Sequence, residues 1–263
     1  MTNNSFDDIA IGYDAEFTDS TIGKIQRGIV QQYLKKNLSP ASEILEINCG
    51  TGTDAQFLAQ QGHRVTFTDA SPNMIAIAKN KTDGLRGIVS GFVWDMRKPF
   101  PLQSIKYDYI FSNFGGLNCL SPQELNILAI QLTNRLNDKG KCIFIVMGRK
   151  CLWERIYFIA KGKPESAFRR NSKIAVQARL NSETTLDIWY YSPAEIIESF
   201  SSGFSVTHHK PVGFFIPPSY FNKLIGNKNI GIRMLVFLEG CFRNWSLLSN
   251  RSDHYLITLQ KRA

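Results

Sequence analysis

Apolar residues come in two kinds of segment along the first 150 positions of the chain. Short, nearly continuous apolar runs, which fit buried strands, alternate with segments whose apolar residues recur at helical spacing. The runs with strand character cover residues 43–49, 64–69, 87–94, 107–114 and 141–147. The helical segments between them cover residues 53–61, 72–80 and 122–136. This alternation predicts an α/β fold with a mostly parallel sheet and helices on both faces.

Residues at the ends of these segments support the assignment. Ser71 and Ser121 each precede a proline, so each fits the N-cap of a helix that begins with proline. The Asp-Lys-Gly sequence at 138–140 predicts the exit of the third helix and a turn. Apolar residues also recur at helical spacing before the first strand, up to Pro40, so residues 1–40 are predicted as an N-terminal helical cap.

The second half of the chain is less regular. It predicts a hairpin of residues 175–180 and 185–191 around a turn at 181–183, then a helix at 193–200 and a strand at 204–212. Residues 213–250 predict a largely helical insertion, and residues 253–260 predict a strand at or near the sheet edge. No linker-like composition interrupts the chain, so we predict one domain over 1–263 with insertions at 151–191 and 213–250.

Composition narrows the class of protein. The chain is 43% hydrophobic and 20% charged, as in ordinary folded proteins. No apolar stretch follows a basic start at the N-terminus, and no apolar run is long enough to span a bilayer. The five cysteines are odd in number and lack the spacing of a metal site. They predict reduced thiols, no metal centre and a cytoplasmic protein.

The formal net charge of +9 is compatible with a nucleic acid, an anionic membrane surface or an acidic substrate. Basic residues are densest between Lys161 and Arg179. No RNA- or DNA-binding motif accompanies them, so a nucleic-acid partner is not expected. Contact with a membrane surface and the oligomeric state stay open.

The segment EINCGTG, from Glu46 to Gly52, has the form of a strand followed by a glycine turn, and Asp69 ends the next apolar run. A strand, a glycine turn, a helix and a second strand that ends in a carboxylate build a pocket for an adenosine-type cofactor. The sharp turn requires Gly50 and Gly52, and a side chain at Gly52 is expected to fill space that the cofactor needs. Asp69 is expected to accept hydrogen bonds from two ribose hydroxyls.

The same turn also fits a nicotinamide or flavin enzyme, since its glycines and Ala55 match the G-x-G-x-x-A pattern. Glu46 and Asp54 favour a different ligand, because carboxylates repel a pyrophosphate and suit a cationic sulfonium and an ammonium group. Asp95, at the end of the third strand, is expected to accept a hydrogen bond from an adenine amino group.

Together these motifs resemble those of class I S-adenosylmethionine-dependent methyltransferases, over about residues 40–150. The first motif matches residues 44–53, with Asn48 where glycine is common. The second matches Asp69 and residues 71–74, and the third matches Asp95 and Met96. The resemblance implies a Rossmann-like sheet of seven strands whose last strand is antiparallel, and S-adenosyl-L-methionine as the cofactor.

The resemblance also implies which residues bind the cofactor. An aromatic residue of the N-terminal cap closes over the cofactor in similar enzymes, and Tyr13 takes that place here. Arg27, on the predicted N-terminal helix, either pairs with the cofactor carboxylate or lies exposed. The expected cofactor-binding residues are Tyr13, Arg27, Glu46, Asn48, Gly50, Gly52, Asp69, Ala70, Met74, Asp95, Met96 and Asn113.

The function expected from this resemblance is methyl transfer to an oxygen or nitrogen of a small, partly apolar or aromatic metabolite. Aromatic residues of the two insertions are expected to line the acceptor site beyond the fourth and fifth strands. The candidates for a catalytic residue are His209 and Asn113, whereas His63 and His254 are interpreted as structural.

Three alternatives stay open. The chain could be a methyltransferase that acts on nucleic acid or at a lipid surface, an NAD(P)-dependent oxidoreductase, or a binding protein that keeps the fold without catalysis. Salt-dependent binding to RNA or vesicles tests the first alternative. Calorimetry with NADH and S-adenosylhomocysteine tests the second, and Asp69→Ala tests the third.

Overall fold

The computed structural model describes residues 6–102, 104–179, 184–221 and 230–262. The strands within them are β1 (Glu43–Ile47), β2 (Arg64–Asp69), β3 (Ile88–Val93), β4 (Tyr107–Ser112), β5 (Leu136–Met147), β6 (Val176–Arg179), β7 (Thr185–Ile188), β8 (Phe204–Val212) and β9 (His254–Lys261). Among these described residues, seven strands form one sheet in the order β3-β2-β1-β4-β5-β9-β8, and β6 pairs with β7 in a separate hairpin.

Strands β1 to β5 pair in parallel, whereas β9 is antiparallel to its neighbours β5 and β8. The sheet therefore has seven strands, most of them parallel, with an antiparallel last strand one position from the edge. The predicted α/β, Rossmann-like fold is confirmed.

Eight α-helices lie within the described residues. They are α1 (Thr21–Asn37), α2 (Thr53–Gln60), α3 (Pro72–Thr82), α4 (Pro122–Thr133), α5 (Leu152–Ala160), α6 (Pro164–Phe168), α7 (Pro193–Phe200) and α8 (Ile230–Phe242). Apolar residues of α1, α2 and α3 form one core cluster with the sheet, and those of α4 and α7 form a second. Both faces are covered, as a parallel sheet requires.

Serine caps fix where several helices begin. The Ser71 hydroxyl accepts from the Met74 N–H at 3.0 Å, and proline occupies the first turn of α3. At α4, Ser121 and Glu124 form a reciprocal capping box. Each cap satisfies backbone donors that otherwise lack an intrahelical partner. The helix starts predicted at Ser71 and Ser121 are confirmed.

The predicted turn at 138–140 differs from what the structure shows. Helix α4 ends at Thr133, and β5 begins at Leu136 rather than at Lys141. Tyr107 pairs with Leu136 and Tyr109 with Lys141, so the residues between form a bulge inside the strand. A bulge and a turn share the same residue preferences, and Lys139 here has a φ of 63°.

The hairpin β6–β7 is shorter than predicted because its second strand ends at Ile188. The next residues bond to the main sheet region instead: the Trp189 N–H donates to the Asn118 carbonyl at 2.8 Å, and the Tyr191 N–H donates to the Met147 carbonyl at 3.3 Å. The predicted turn at 181–183 lies outside the described residues.

The carboxyl ends of β1, β2, β4 and β5 meet at one edge of the sheet, which we call the rim. The glycine turn follows β1 at the rim, and β9 begins there because it runs in the opposite direction. A single π-helical turn, Asp14–Thr18, lies against the glycine turn through a hydrogen bond between Asp14 and Thr51. The rim is where ligands bind in open α/β sheets.

Candidate functional site

The glycine turn has the left-handed backbone that its sequence predicts. Gly50 has a φ of 54° and Gly52 a φ of 77°, and a residue with a side chain is strained at such angles. A Cβ at Gly52 would lie 2.7 Å from the Cβ of Ala78 on α3. Gly52 therefore allows α2 and α3 to pack closely, and the expectation that a side chain there would fill cofactor space stays a prediction. A Cβ at Gly50 would instead face Tyr13, at 3.9 Å.

A cleft of about 310 Å³, counted with the open space at its mouth, lies beside this turn. It is lined by Tyr13, Arg27, Glu46, Asn48, Cys49, Gly50, Thr51, Thr53, Asp54, Asn113 and Phe114. Half of the twelve expected cofactor-binding residues line it. The other six do not: Gly52, Asp69, Ala70, Met74, Asp95 and Met96.

Glu46 is the most unusual residue of the cleft. Glu46 is only 1% exposed. Its Oε2 has no hydrogen-bond partner among the described residues. Burial, and next the nearby charge of Asp54, raise the pKa of Glu46 well above its usual value. A buried carboxylate without a partner is costly, so this position suits a ligand that brings a positive charge.

Asp54, in the first turn of α2, connects three elements around the cleft. Its carboxylate contacts Arg27 of α1 and accepts from Asn113 Nδ2 at 2.7 Å, beyond the end of β4. The Arg27 guanidinium also lies 5.2 Å from the centre of the Phe114 ring. Arg27 is therefore neither exposed nor free, although its Nε has no partner among the described residues.

Asp69 holds the glycine turn in place. Its Oδ2 accepts from the Gly50 N–H and its Oδ1 from the Ser71 N–H, each at 2.9 Å. Burial raises the pKa of Asp69 despite these bonds. Each carboxylate oxygen can accept a second hydrogen bond. Binding of ribose hydroxyls by Asp69 stays a prediction.

Asn48 lines the cleft, but its side-chain amide is already hydrogen-bonded, because it joins the ends of two strands. It has a φ of 51°, an angle that asparagine tolerates better than most residues. Its Nδ2 donates to the Asn113 carbonyl at 3.0 Å, and its Oδ1 accepts from the Ser112 hydroxyl at 2.6 Å. It thereby ties the glycine turn to the end of β4.

Asp95, expected near adenine, is held by Arg97. Arg97 Nε and Nη2 donate to the two carboxylate oxygens at distances of 2.9–3.1 Å. Burial alone would raise the pKa of Asp95, but the bonds from Arg97 outweigh it and lower the pKa. Met96 packs against the core, as does the buried Met74, and Ala70 is half-buried. Their cofactor contacts stay predictions.

Three residues outside the set of expected cofactor-binding residues bind the N-terminal segment to the rim. Lys81, at the end of α3, donates to Asp14 at 2.7 Å and to Thr51 at 3.0 Å. The Thr51 hydroxyl donates to Asp14 at 2.6 Å. Tyr13, next to Asp14, thereby lies in the cleft, and burial raises the pKa of its hydroxyl. Only the fold brings the ends of these elements together.

On the other side of the rim, His254 begins β9 opposite Met147 at the end of β5. Its Nδ1 lies 3.1 Å from Asp253 Oδ2, and its ring meets Phe114 edge to face, with centroids 5.3 Å apart. This Nδ1–Oδ2 contact is an ion-pair distance without hydrogen-bond geometry, since Nδ1 has no hydrogen-bond partner among the described residues. His254 was interpreted as structural, yet it contacts a residue that lines the cleft.

His209, the predicted candidate, lies in the middle of β8 opposite Ile257. Its Nδ1 is 3.1 Å from the Ser249 hydroxyl, and burial lowers its pKa. It does not line the cleft, whereas Asn113 does. The strand pairing accounts for this difference, because β8 is at the far edge of the sheet and its middle is away from the rim.

Asp253 belongs to a buried ionic cluster that also holds the first insertion. Arg170 donates to Glu154 of α5 at 2.5 Å and to Asp253 Oδ1 at 2.9 Å, and its guanidinium lies 5.0 Å from the Tyr190 ring. Burial would raise the pKa of Asp253, but the charges of His254 and Arg170 hold it well below its usual value. The described residues contain no group of three potential metal ligands.

Comparison with known proteins agrees with this geometry. Residues 44–140 match a family model described as a methyltransferase domain. A Schizosaccharomyces pombe protein called an uncharacterized methyltransferase is 30% identical over 133 residues, which are 49% of this chain and 48% of the relative. A Geobacillus protein whose name describes it as a methyltransferase is 29% identical over 147 residues, which are 56% of this chain and 58% of the relative. The chain thus spans about half the length of the curated relatives it matches.

Solved structures share the fold over nearly the whole chain. The CcbJ methyltransferase from Streptomyces caelestis has a TM-score of 0.64 at 15% identity and covers 98% of both chains. The DhpI–SAH complex has a TM-score of 0.62 at 16% identity, over 97% of this chain and 93% of that one. At such identities the likeness concerns the fold alone. No helix among the described residues is both long and apolar enough to cross a bilayer.

Proposed function

We propose that this chain, whose residues 44–140 match a model of a methyltransferase domain, is a class I S-adenosylmethionine-dependent methyltransferase that transfers a methyl group to an oxygen or nitrogen of a small, partly apolar metabolite. The observation that carries the proposal is Glu46: a buried carboxylate with an unpartnered oxygen in the cleft beside the glycine turn. The ammonium group of S-adenosylmethionine is the partner that such a carboxylate lacks.

The charges around the turn fit this cofactor better than a nicotinamide dinucleotide. Glu46 and Asp54 both line the cleft, and Asp54 lies in the first turn of α2. A dinucleotide places its pyrophosphate at that helix N-terminus, where two acids would repel it. An ammonium group on the ligand meets no such repulsion. Asp69, beside Gly50, is the residue we expect to accept from the ribose.

When bound, S-adenosylmethionine supplies an electrophilic methyl carbon on a sulfonium. The chain has to orient the acceptor, exclude water and, for a hydroxyl acceptor, receive a proton. His254 is the residue that we propose receives it at Nε2. Asp253 faces its Nδ1 and would stabilise the protonated ring, as an acid does in histidine-based catalysis.

Calorimetry tests the cofactor assignment. The wild-type protein should bind S-adenosylhomocysteine and not NADH, and Glu46→Gln should weaken the former by about 1.5–3 kcal/mol, the usual contribution of a hydrogen bond to a charged group. Glu43→Gln is the matched control, since Glu43 lies at the other end of β1 and pairs with Arg64 at the surface. Binding of NADH alone, or equal affinities of both variants and the wild type, would overturn the assignment.

His254→Gln tests the acceptor chemistry separately. With a panel of phenols and primary amines as acceptors, transfer to phenols should fall by about 100-fold or more, the contribution of a general base. Affinity for S-adenosylhomocysteine should not change. Equal rates with phenols in the variant and the wild type would contradict the role of His254.

A further inference from the structure

Helix α8, in the second insertion, uses one row of residues to pack against the protein. Leu235 contacts a small apolar cluster of Ile22, Ile216 and Phe221. Glu239, one turn later, is buried and accepts from the Gly213 and Phe215 N–H groups at 2.8 and 2.7 Å. Positions 235, 239 and 242 have the i, i+4, i+7 spacing of one helix face, which the body of the protein covers.

A second row of the same helix is apolar and exposed. Met234 and Phe237, at i and i+3, are 58% and 69% exposed. Trp245 and Leu247, in the segment that follows, are 57% and 86% exposed. The Trp245 ring meets Phe242 edge to face at 4.6 Å, which holds it beside the end of α8. We call these four residues the outer row.

Helix α5, in the first insertion, adds a similar row. Leu152, Ile156 and Ile159 are exposed at i, i+4 and i+7. Tyr157 of α5 packs against the same small cluster as Leu235 of α8. Exposed apolar rows of this kind are candidate interaction surfaces.

The charge around the outer row has one sign. Arg233, Arg243 and Arg251 are exposed. Glu239, the acid between residues 230 and 251, is buried and accepts hydrogen bonds from backbone N–H groups. Lys161 and Lys163 follow α5 and are exposed, as is Glu165. The formal net charge of the whole chain is +9. Apolar residues with tryptophan and phenylalanine, surrounded by cations, are typical of segments that lie in an anionic lipid interface.

We propose that the outer row and its arginines dock the protein on the surface of an anionic lipid bilayer. A second copy fits less well, because a twofold interface would bring the same arginines of both copies close together. A nucleic acid also fits less well: Phe237 and Trp245 could stack on bases, but the aliphatic side chains of Met234 and Leu247 could not. Docking would bring the two insertions to the membrane, and with them the route by which a partly apolar acceptor reaches the rim.

Cosedimentation with vesicles tests this proposal without any knowledge of the acceptor. The wild-type protein should bind phosphatidylglycerol vesicles, bind phosphatidylcholine vesicles weakly, and detach from the former as salt rises. The double variant Phe237→Ser, Trp245→Ser should lose at least about tenfold in partition, since apolar burial supplies much of such binding. Arg233→Gln and Arg243→Gln should each cost about fivefold at low salt.

Ile130→Ser is the matched control, because Ile130 on α4 is 61% exposed and lies outside the outer row. It should bind vesicles like the wild type, and all variants should melt at the same temperature because the altered side chains are exposed. Equal binding of the wild-type protein to both lipids would overturn the proposal. Vesicle binding by the double variant Phe237→Ser, Trp245→Ser at the level of Ile130→Ser would also overturn it. A dimer in sedimentation velocity that Phe237→Ser disperses, without any vesicle binding, would also overturn it in favour of self-association.

Discussion

Glu46, on the cleft side of the rim, is buried with one carboxylate oxygen unpartnered among the described residues. Asp253, on the other side of the rim, is equally buried, yet it accepts from Arg170 at 2.9 Å and from Gln26 at 3.2 Å and faces His254. Burial raises the pKa of the first acid, whereas its partners hold the pKa of the second far below the usual value.

This difference separates two uses of buried charge. An unpaired acid lowers the stability of the ligand-free protein and is retained where a cationic ligand can pair with it. A paired acid fixes structure: the Glu154–Arg170–Asp253 cluster attaches α5 and the residues around Arg170 to the start of β9. We therefore expect substitutions on the two sides of the rim to change stability in opposite directions.

The largest effect should come from Arg170→Met. It leaves Glu154 and Asp253 buried with a major partner removed, and breaking a buried ion pair in this way costs about 3–5 kcal/mol. The free energy of unfolding in urea measures it. Arg169→Met is the control, because Arg169 also contacts Glu154 but is partly exposed, so its loss should be about 1 kcal/mol or less. Equal losses in both variants would show that the cluster does not depend on burial.

Gly52→Ala should have the next largest effect. Gly62→Ala measures the backbone cost alone, because Gly62 has a φ of 86° with open space around it, and this cost is about 1–2 kcal/mol. At Gly52 the contact with Ala78 should add about 1–3 kcal/mol of overpacking. Urea unfolding of the two variants checks the difference. If the losses are the same, close packing of α2 on α3 is not what requires glycine.

Glu46→Gln should stabilise the ligand-free protein at neutral pH, because the neutral amide removes the cost of a desolvated carboxylate charge. The folded pKa is raised, so the contribution of Glu46 is full below the unfolded value near 4.5 and is lost as pH rises through the folded pKa. The gap between variant and wild type should therefore widen from acid to neutral pH in thermal unfolding.

Asp95→Asn is the control for that pH dependence, because the pKa of Asp95 is shifted in the opposite direction from that of Glu46. Arg97 lowers the pKa of Asp95 in the folded state, so its contribution is present above the unfolded value of 3.8 and is lost as pH falls through the folded pKa. This variant should be less stable than the wild type at neutral pH, and the two should converge in acid. If the difference in stability between either variant and the wild type does not change with pH, the assigned pKa shift is contradicted.

The smallest effect on stability should come from Lys81→Met, about 1 kcal/mol or less, because the Lys81–Asp14 pair is partly exposed. Its local effect should be larger, since Lys81 also contacts Thr51 of the glycine turn and Thr53 at the start of α2. Hydrogen exchange should quicken in residues 6–19 and at the glycine turn, while α4 stays unchanged. Unchanged exchange in both segments would show that other contacts hold the N-terminal segment.

Much of the fold was predictable because its signals are local. Helix starts at Ser71 and Ser121 depend on neighbouring residues, and the order of strands and helices depends on apolar periodicity within short windows. The cleft residues Glu46 and Gly50 were also predictable, since a strand followed by a glycine turn is recognisable as a single motif in the sequence. The bulge at 138–140 was mistaken for a turn because both use the same residue types.

By itself, the sequence determined the alternating elements, the parallel sheet and the position of the glycine turn, because each arises from residues close together along the chain. Only the tertiary structure decided which side chains share a site. Asp253 and Arg170 are 83 positions apart and His254 meets Phe114 across the rim, and such pairs follow from strand order and the antiparallel entry of β9. Whether a buried acid is paired, like Asp253, or unpartnered, like Glu46, depends on those distant neighbours, which no local pattern records.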